Sequence, residues 1–459
     1  MTRIHIPRLM IAAPASGSGK TTVTCALLTA LLARGERPAA FKCGPDYIDP
    51  LFHTAVTGAP ARNLDLFLTP EDRVLDSLSR GCGGATLAVL EGVMGYYDGL
   101  GGDTVTAGSY HLARVTKTPV VLVLRCRGMS ALTAAALVRG VRDFQADSGI
   151  AALLLDQLSP AAWPGTKAVL ERETGLPVAG FLPSLPDCAL ESRHLGLVAP
   201  EELPGFREKA RRLAAALVEH TDLELLQGIA RSAPPLAYRP PAPPRPLEKT
   251  IQVAVARDAA FSFYYRDSLE LLERAGAELV PFSPLAGDPL PPGAAGLLLG
   301  GGYPELPARE LAQNRPPREQ LGQAILGGLP TVAECGGFLY LHRQLADKAG
   351  AFWPMAGVIP ASARNGGRLQ PFGYGTLAAR QGGLLLEEGE SVPTHAFHYW
   401  QSDDEGDGFR FQKPGGRGWR CGWQTGSLYA GFPHLHFGSR EGLAERFLAV
   451  CGAYQERKR

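Results

Sequence analysis

A chain of 459 residues is longer than a single hydrophobic core usually supports, so two or three domains are expected. Its 46 basic and 45 acidic side chains leave a net charge of +1, which excludes the one-sided charge of a nucleic-acid or membrane-surface binder. Apolar runs such as PVVLVL at 119–124 are strand length rather than membrane-spanning, and the eight cysteines form no C-x-x-C pair, which suits a reducing cytoplasm and excludes a zinc or disulfide framework.

The N-terminal MTRIHIPRLMIAAPAS does not read as a secretory signal, because its short apolar piece runs directly into a glycine loop. Residues 8–30, RLMIAAPASGSGKTTVTCALLTA, predict a strand, a small-residue loop and a helix beginning near Lys20. Such a loop curls successive backbone N–H groups around phosphate oxygens, and the helix N-terminus adds positive potential. Ser16, Gly17, Ser18, Gly19, Lys20, Thr21 and Thr22 are the candidate nucleotide-binding residues. Lys20 would reach the β- and γ-phosphates of ATP, and the Thr21 hydroxyl would ligate Mg²⁺. Pro14 stands where the strict pattern has glycine, which removes one cradle N–H.

Two acidic stretches follow. KCGPDYIDPLFH (42–53) gathers Lys42, Asp46, Asp49 and His53 around a Gly-Pro turn, and VLEGVMGYYDG (89–99) ends a strand at Glu91 and adds Asp98. Carboxylates at strand C-termini face the crevice in which open α/β sheets bind ligands. Asp46 and Glu91 are therefore candidates for a nucleotide–metal site, with Asp49 and Asp98 nearby. Further strand-length runs (119–124, 150–155, 177–183) alternate with helix-length segments, predicting a parallel sheet covered by helices. Seven prolines in residues 231–249 predict an extended spacer. The α/β pattern then restarts at IQVAVARD. The expected division is a nucleotide-binding domain over 1–230, a linker over 231–249 and a second α/β domain over 250–459.

Within the second domain, TVAECGGFLYLH (331–342) places Cys335 between a strand and a helix. A thiol on such a turn resembles the serine of a nucleophile elbow, and the two following glycines leave room for a substrate carbonyl. The Gly336 N–H can serve as one oxyanion donor, the helix dipole favours the thiolate, and a second donor can come from GGGYPE (300–305), at Gly302. GFPHLHFGSR supplies His434 and His436 about a hundred residues later as candidate bases. On a strand these two would share one face about 6.5–7 Å apart, so only one can bond the thiol directly.

A phosphate-loop domain joined to a cysteine–histidine domain predicts an ATP-dependent amidase fed by glutamine. The chain resembles the cobyrinic acid a,c-diamide synthases and the hydrogenobyrinic acid a,c-diamide synthases. The resemblance is carried in order by GSGKTTVT, KCGPDYIDPLFH, RNLDLFL, LEGVMGYYDG, RGMSALTAAALVRG, SRHLGLV, VAVARDAAFSFYY, LLLGGGYPE, ECGGFLYL and HLHF. It implies a dethiobiotin-synthetase-like ATPase domain followed by a class I glutamine amidotransferase domain. It also implies Cys335 as nucleophile and His434 as its partner, with His436 orienting His434 or packing. Lys20, Thr21, Asp46 and Glu91 would hold ATP and Mg²⁺. Asp46, Tyr47, Asp49 and Asp98 would contact the corrin or orient its carboxylate.

Several positions depart from the family pattern: Arg125 replaces an Asp, Asp156 an Asn, Gly431-Phe432 a Ser-Tyr and Ala396 a Glu. Sibling activities on other tetrapyrroles stay open, among them cobyric acid synthase and nickel-sirohydrochlorin a,c-diamide synthase, as does a tetrapyrrole carrier without catalysis. The expected ligands are a corrin, glutamine and ATP, with no nucleic acid and no membrane; a homodimer is among the assemblies this reading allows.

Overall fold

The structure, a computed structural model, describes residues 1–190, 192–193, 196–197, 203–247 and 249–458. Of the SRHLGLV stretch, His194, Leu195 and Val198 lie outside the described residues. The chain divides into two compact units, Met1–Pro241 and Ala242–Arg459.

The first unit is built on a seven-stranded parallel sheet. Its strands run in the spatial order Arg62–Leu64, Pro38–Cys43, Leu87–Glu91, Arg8–Ala12, Val120–Arg125, Ile150–Asp156, Val178–Leu182. Side chains alternate across a strand, and here each face is covered: Met10 and Ala12 enter one apolar cluster, Leu9 and Ile11 the other. Burial on both faces explains why these strands read as continuous apolar runs. The helix after the phosphate loop begins at Lys20 and ends at Ala33, burying Val23, Ala26, Leu27 and Leu31 on the second face. All seven strands point the same way, so Lys42, Glu91, Arg125 and Asp156 come to one edge: Lys42 pairs with Glu91, Ile11 with Glu91, and Arg125 with Asp156.

The proline-rich stretch is not a spacer along its whole length. Leu236–Tyr238 forms a strand paired antiparallel with Thr2–Ile4, and the Pro234 carbonyl accepts from the buried Arg8 guanidinium at 2.6 Å. Burying Leu236 and Tyr238 gives these residues a reason to leave the extended solvated state that proline content alone predicts.

The second unit has a six-stranded sheet in the order Ala277–Phe282, Ile251–Ala256, Gly296–Leu299, Thr331–Glu334, Leu428–Gly431, Trp423–Gln424. The last pair is antiparallel and the others parallel. Residues 342–421 contribute two further sheets, a mixed one in which His342–Ala346 runs parallel to Ile359–Asn365 and an antiparallel one that includes His434–Leu435 beside Ser391–Ala396. The helix after Cys335 spans only Gly336–Tyr340, because the chain turns back into a strand at His342–Ala346. A single turn has little macrodipole, so the helix-dipole support expected for a thiolate is small.

Gly337 sits where that turn crosses the neighbouring strand. Its N–H donates to the Gly300 carbonyl at 3.0 Å, and a Cβ here would fall 2.0 Å from the Leu299 carbonyl oxygen. We predict that Gly337→Ala costs about 2–3 kcal/mol, since the obstacle is strand backbone rather than a movable side chain. The measurement is the urea unfolding midpoint, which should fall; an unchanged midpoint would show that the strand end can shift.

Candidate active sites

In the first unit Glu91 is fully enclosed and every carboxylate oxygen is held. Oε1 accepts from the Thr21 hydroxyl at 2.7 Å and from Lys42 Nζ at 2.9 Å, while Oε2 lies 2.7 Å from His53 Nε2. Lys42 Nζ also meets Asp49 Oδ2 at 2.5 Å and donates to the Gly92 carbonyl at 2.9 Å. Thus one buried ammonium stands between two carboxylates. Burial alone would raise the pKa of Glu91, but Lys42 and His53 outweigh it and hold the carboxyl well below its usual range. Asp49 has the weaker partners. Its burial, opposed by Lys42 and reinforced by Asp46 and Glu91, pushes it up to about 8.

The expected site residues occupy different positions around this centre. Lys20 Nζ bridges the carbonyls of Ala15 (3.2 Å) and Met94 (2.5 Å), and burial with the nearby Lys42 charge lowers its pKa to about 8. Asp46 Oδ1 accepts the N–H groups of Ile48 and Asp49 at 2.8 and 2.9 Å, so it starts the Ile48–Thr57 helix. Tyr47 is half-buried at the same turn. Asp98 accepts from the Gly95 N–H at 2.7 Å and braces the loop after Glu91. Glu91, expected at the metal, is fully enclosed and accepts from the hydroxyl of Thr21, the other expected ligand beside it. Among the described residues no group of three or more His, Cys, Asp or Glu side chains is arranged to hold a metal. The donors that are present, a hydroxyl and carboxylates, are of the hard oxygen type that suits Mg²⁺ carried in with nucleotide phosphates.

Arg125 and Asp156, two of the residues that depart from the family pattern, both lie against the phosphate loop. Arg125 donates to the Gly17 carbonyl at 2.8 Å, and Asp156 is so close to Gly19 that a Cβ there would fall 2.5 Å from its Oδ2. Burial raises Asp156 to about 6 despite the opposing charge of Arg125. The two residues occupy adjacent strand ends.

In the second unit Cys335 adopts φ 47°, ψ −100°, a conformation that non-glycine residues rarely take and that costs of order 1–3 kcal/mol. Neighbouring strands fix it there. Its N–H donates to the Gly431 carbonyl at 2.8 Å, and the register Glu334↔Gly431 brings the residues after Gly431 alongside the elbow. His434 follows three residues later and hydrogen-bonds the Cys335 side chain. On the other flank Gly302 and Gly336 touch, since a Cβ on Gly336 would fall 2.9 Å from the Gly302 nitrogen. The Gly302 backbone therefore meets the turn that follows Cys335.

His436 does something else: its Nδ1 accepts from the Gly438 N–H at 3.0 Å, capping the Phe437–Ser439 turn, and its ring lies 5.2 Å from that of Tyr265. The carboxylate nearest His434 is Glu334, with Oε2 3.5 Å from Nδ1. Burial lowers the pKa of His434, but the Cys335 hydrogen bond and Glu334 outweigh it and hold it up at about 9. That contribution to stability is complete below the ordinary value of 6.5 and is lost as pH rises through about 9. The sequence motifs contain Lys42, His53 and Glu334 without marking a role for them. Lys42 was detectable as a lysine at the end of an apolar strand; nothing in the spacing marked His53 or Glu334.

Comparison with known proteins follows the same division. Residues 9–198 match the CobQ/CobB/MinD/ParA nucleotide binding domain, and residues 252–442 match the CobB/CobQ-like glutamine amidotransferase domain. The cobyrinate a,c-diamide synthase of Priestia megaterium is 36% identical over 456 residues, covering 98% of both chains. That of Gloeobacter violaceus is 40% identical over 451 residues, covering 96% of both, and that of a Synechococcus species 39% over 449 residues, covering 96% of this chain and 98% of its own. The chain belongs to the cobyrinate a,c-diamide synthase family. Within that family's architecture, the Glu91 cluster lies in the nucleotide-binding unit and Cys335 in the amidotransferase unit.

The Glu91 cluster yields a prediction. Lys42→Met leaves Glu91 and Asp49 buried without their ammonium and should cost about 3–5 kcal/mol at neutral pH. Glu91, whose pKa is depressed in the folded chain, gives stability that is present above about 4.5 and lost on acidification. The gap between wild type and variant in denaturant unfolding should therefore narrow below that pH. A constant gap across the range would contradict the assigned pairing.

Proposed function

We infer that this chain amidates the a and c acetate carboxylates of cobyrinate, using ATP and the amide nitrogen of glutamine. The observation that carries this is near-complete alignment with cobyrinate a,c-diamide synthases in a chain that presents a phosphate loop in one unit and a cysteine elbow in the other. A carboxylate resists amine attack because it is anionic and lacks a leaving group. Transfer of the γ-phosphoryl group to a carboxylate oxygen removes both obstacles: ADP leaves, ammonia attacks the acyl carbon, and phosphate departs.

In this reading the loop of residues 16–22 binds the nucleotide, and Lys20 exchanges its two carbonyl contacts for phosphate oxygens. The Thr21 hydroxyl donates a hydrogen bond to Glu91, which leaves its oxygen lone pairs free; Thr21, Glu91 and the half-buried Asp46 would hold Mg²⁺. Such an ion neutralises phosphate charge during transfer. Tyr47, Asp49 and Asp98, on the loops around this centre, would meet the corrin and its carboxylate. Asp49, carried up to about 8, suits a group that meets another carboxylate near neutral pH.

In the second unit, Cys335 attacks the glutamine amide carbon after its proton passes to His434. The N–H groups of Gly302 and Gly336 receive the negative charge that develops on the carbonyl oxygen. Ammonia leaves with that proton, and water later releases glutamate from the thioester. His436, capping its own turn, supports the loop that carries His434.

Because nitrogen release and carboxylate activation use different residues, substitutions should separate them. Cys335→Ala should abolish amidation from glutamine by at least about 10³-fold and preserve amidation from ammonium salts. Lys20→Ala should abolish amidation from both. Product amides counted by mass in the two nitrogen sources test this; full ammonium-driven activity in Lys20→Ala would refute the phosphate-loop assignment.

A further inference from the structure

We propose that Glu334, the residue immediately before the nucleophile, is the positioning residue that orients His434, the task sequence reading had left to His436. The inference rests on the glutaminase reading of Cys335 and His434 and deepens it.

Geometry ties Glu334 to the histidine at two points. Oε1 accepts the Leu435 N–H at 2.9 Å, which anchors the carboxylate to the residue next to His434. Oε2 then stands 3.5 Å from Nδ1 of His434. That separation is at the outer limit of a hydrogen bond, the looseness that catalytic pairs often show before substrate draws them together. The anchor has a structural origin. Glu334 ends the strand whose parallel partner ends at Gly431, so its side chain and the 434–435 backbone emerge together. The same register places Cys335 beside them, and a single strand end thereby supplies both nucleophile and orienting acid.

An Nδ1–H directed at Glu334 leaves Nε2 as the basic nitrogen facing the thiol. Before glutamine is attacked, the S–H bond breaks, its electron pair stays on sulfur and an Nε2–H bond forms, so the reacting pair near neutral pH is a thiolate beside an imidazolium. The Glu334 carboxylate faces the resulting imidazolium and stabilises it. Among the described residues, Glu334 is the carboxylate that raises the His434 pKa, and the neighbouring histidines and tyrosines carry no negative charge. His395, paired across strands with His434, is lowered to about 3 by burial, and His398 to about 4, so both are neutral near pH 7. His398 also stacks on Phe432 with ring centroids 3.6 Å apart. Tyr264 and Tyr429 lie near Glu334, and burial raises the pKa of each, so they remain phenols. His436 carries no negative charge and accepts at Nδ1 from its own turn.

The test is the pH dependence of glutamine hydrolysis in the full-length protein with ATP and Mg²⁺ present. Removing the anion in Glu334→Gln makes the imidazolium easier to deprotonate, so the alkaline limb of kcat/KM should move to lower pH by about one unit. At neutral pH kcat should fall about 10- to 100-fold, with KM for glutamine changed less than about threefold. Glu334→Asp should restore part of the rate and return the limb towards its wild-type position. His436→Asn should leave the limb in place. Ammonium-driven amidation in each variant reports that the chain has folded.

An alkaline limb that stays in place in Glu334→Gln would overturn the proposal, whether or not kcat falls, because a purely structural loss lowers the rate without moving the profile. A shift in His436→Asn with none in Glu334→Gln would transfer the role to His436. Persistent glutamine hydrolysis in Cys335→Ala would instead remove the underlying glutaminase reading, and Glu334 with it.

Discussion

A carboxylate with no exposed surface has to be paired, and the pairing of Glu91 organises the whole nucleotide-binding unit. Its partners come from three other elements: Thr21 from the helix after the phosphate loop, Lys42 from the neighbouring strand, and His53 from the helix that follows. Satisfying that one group therefore fixes the loop, the strand end and the second helix in relation to each other. The cost of leaving such a charge unpaired, several kcal/mol, is large beside the net stability of a domain. It also explains why Asp49, sharing Lys42 with a better-served acid, is the carboxylate driven towards its neutral form.

The second unit obeys a related constraint with different chemistry. In a parallel sheet, neighbouring strands end together, so residues far apart in sequence meet beyond their C-termini. Gly300–Gly302, Cys335 and His434 follow three adjacent strands in this way. The strained backbone of Cys335 is held from both sides, by the Gly431 carbonyl on its N–H and by the Leu339 N–H on its carbonyl. The elbow therefore owes its geometry to the sheet register. The following helix has one turn and adds little.

Much of this was legible in the sequence because its signals are local. The phosphate loop declares itself through small residues before Lys20, and two-sided burial makes the central strands of the first unit read as apolar runs. Cys335 was visible as an elbow because its glycines adjoin it. What was hidden depends on tertiary contact. Composition made residues 236–238 look like linker, but pairing with residues 2–4 and burial of Leu236 and Tyr238 outweighed it. The helix after Cys335 is held to one turn because His342 takes the chain into a strand, a pairing that local spacing does not reveal. Alternation made His434 and His436 look equivalent; the strand ends at Leu435, which sends His436 to cap a separate turn. Which acid approaches His434 is set by strand register, to which spacing within a motif is blind.

A single chain releases ammonia from glutamine in its amidotransferase unit and uses it on carboxylates activated in its nucleotide-binding unit. The most direct measurement is product mass after incubation with ATP, Mg²⁺, glutamine carrying heavy nitrogen in its amide, and a panel of tetrapyrroles that includes cobyrinate. The account predicts that cobyrinate is converted to a diamide with label in both new amides, and that ATP is consumed with each amidation. Unchanged cobyrinate alongside amidation of a different tetrapyrrole, or new amides without label, would contradict it.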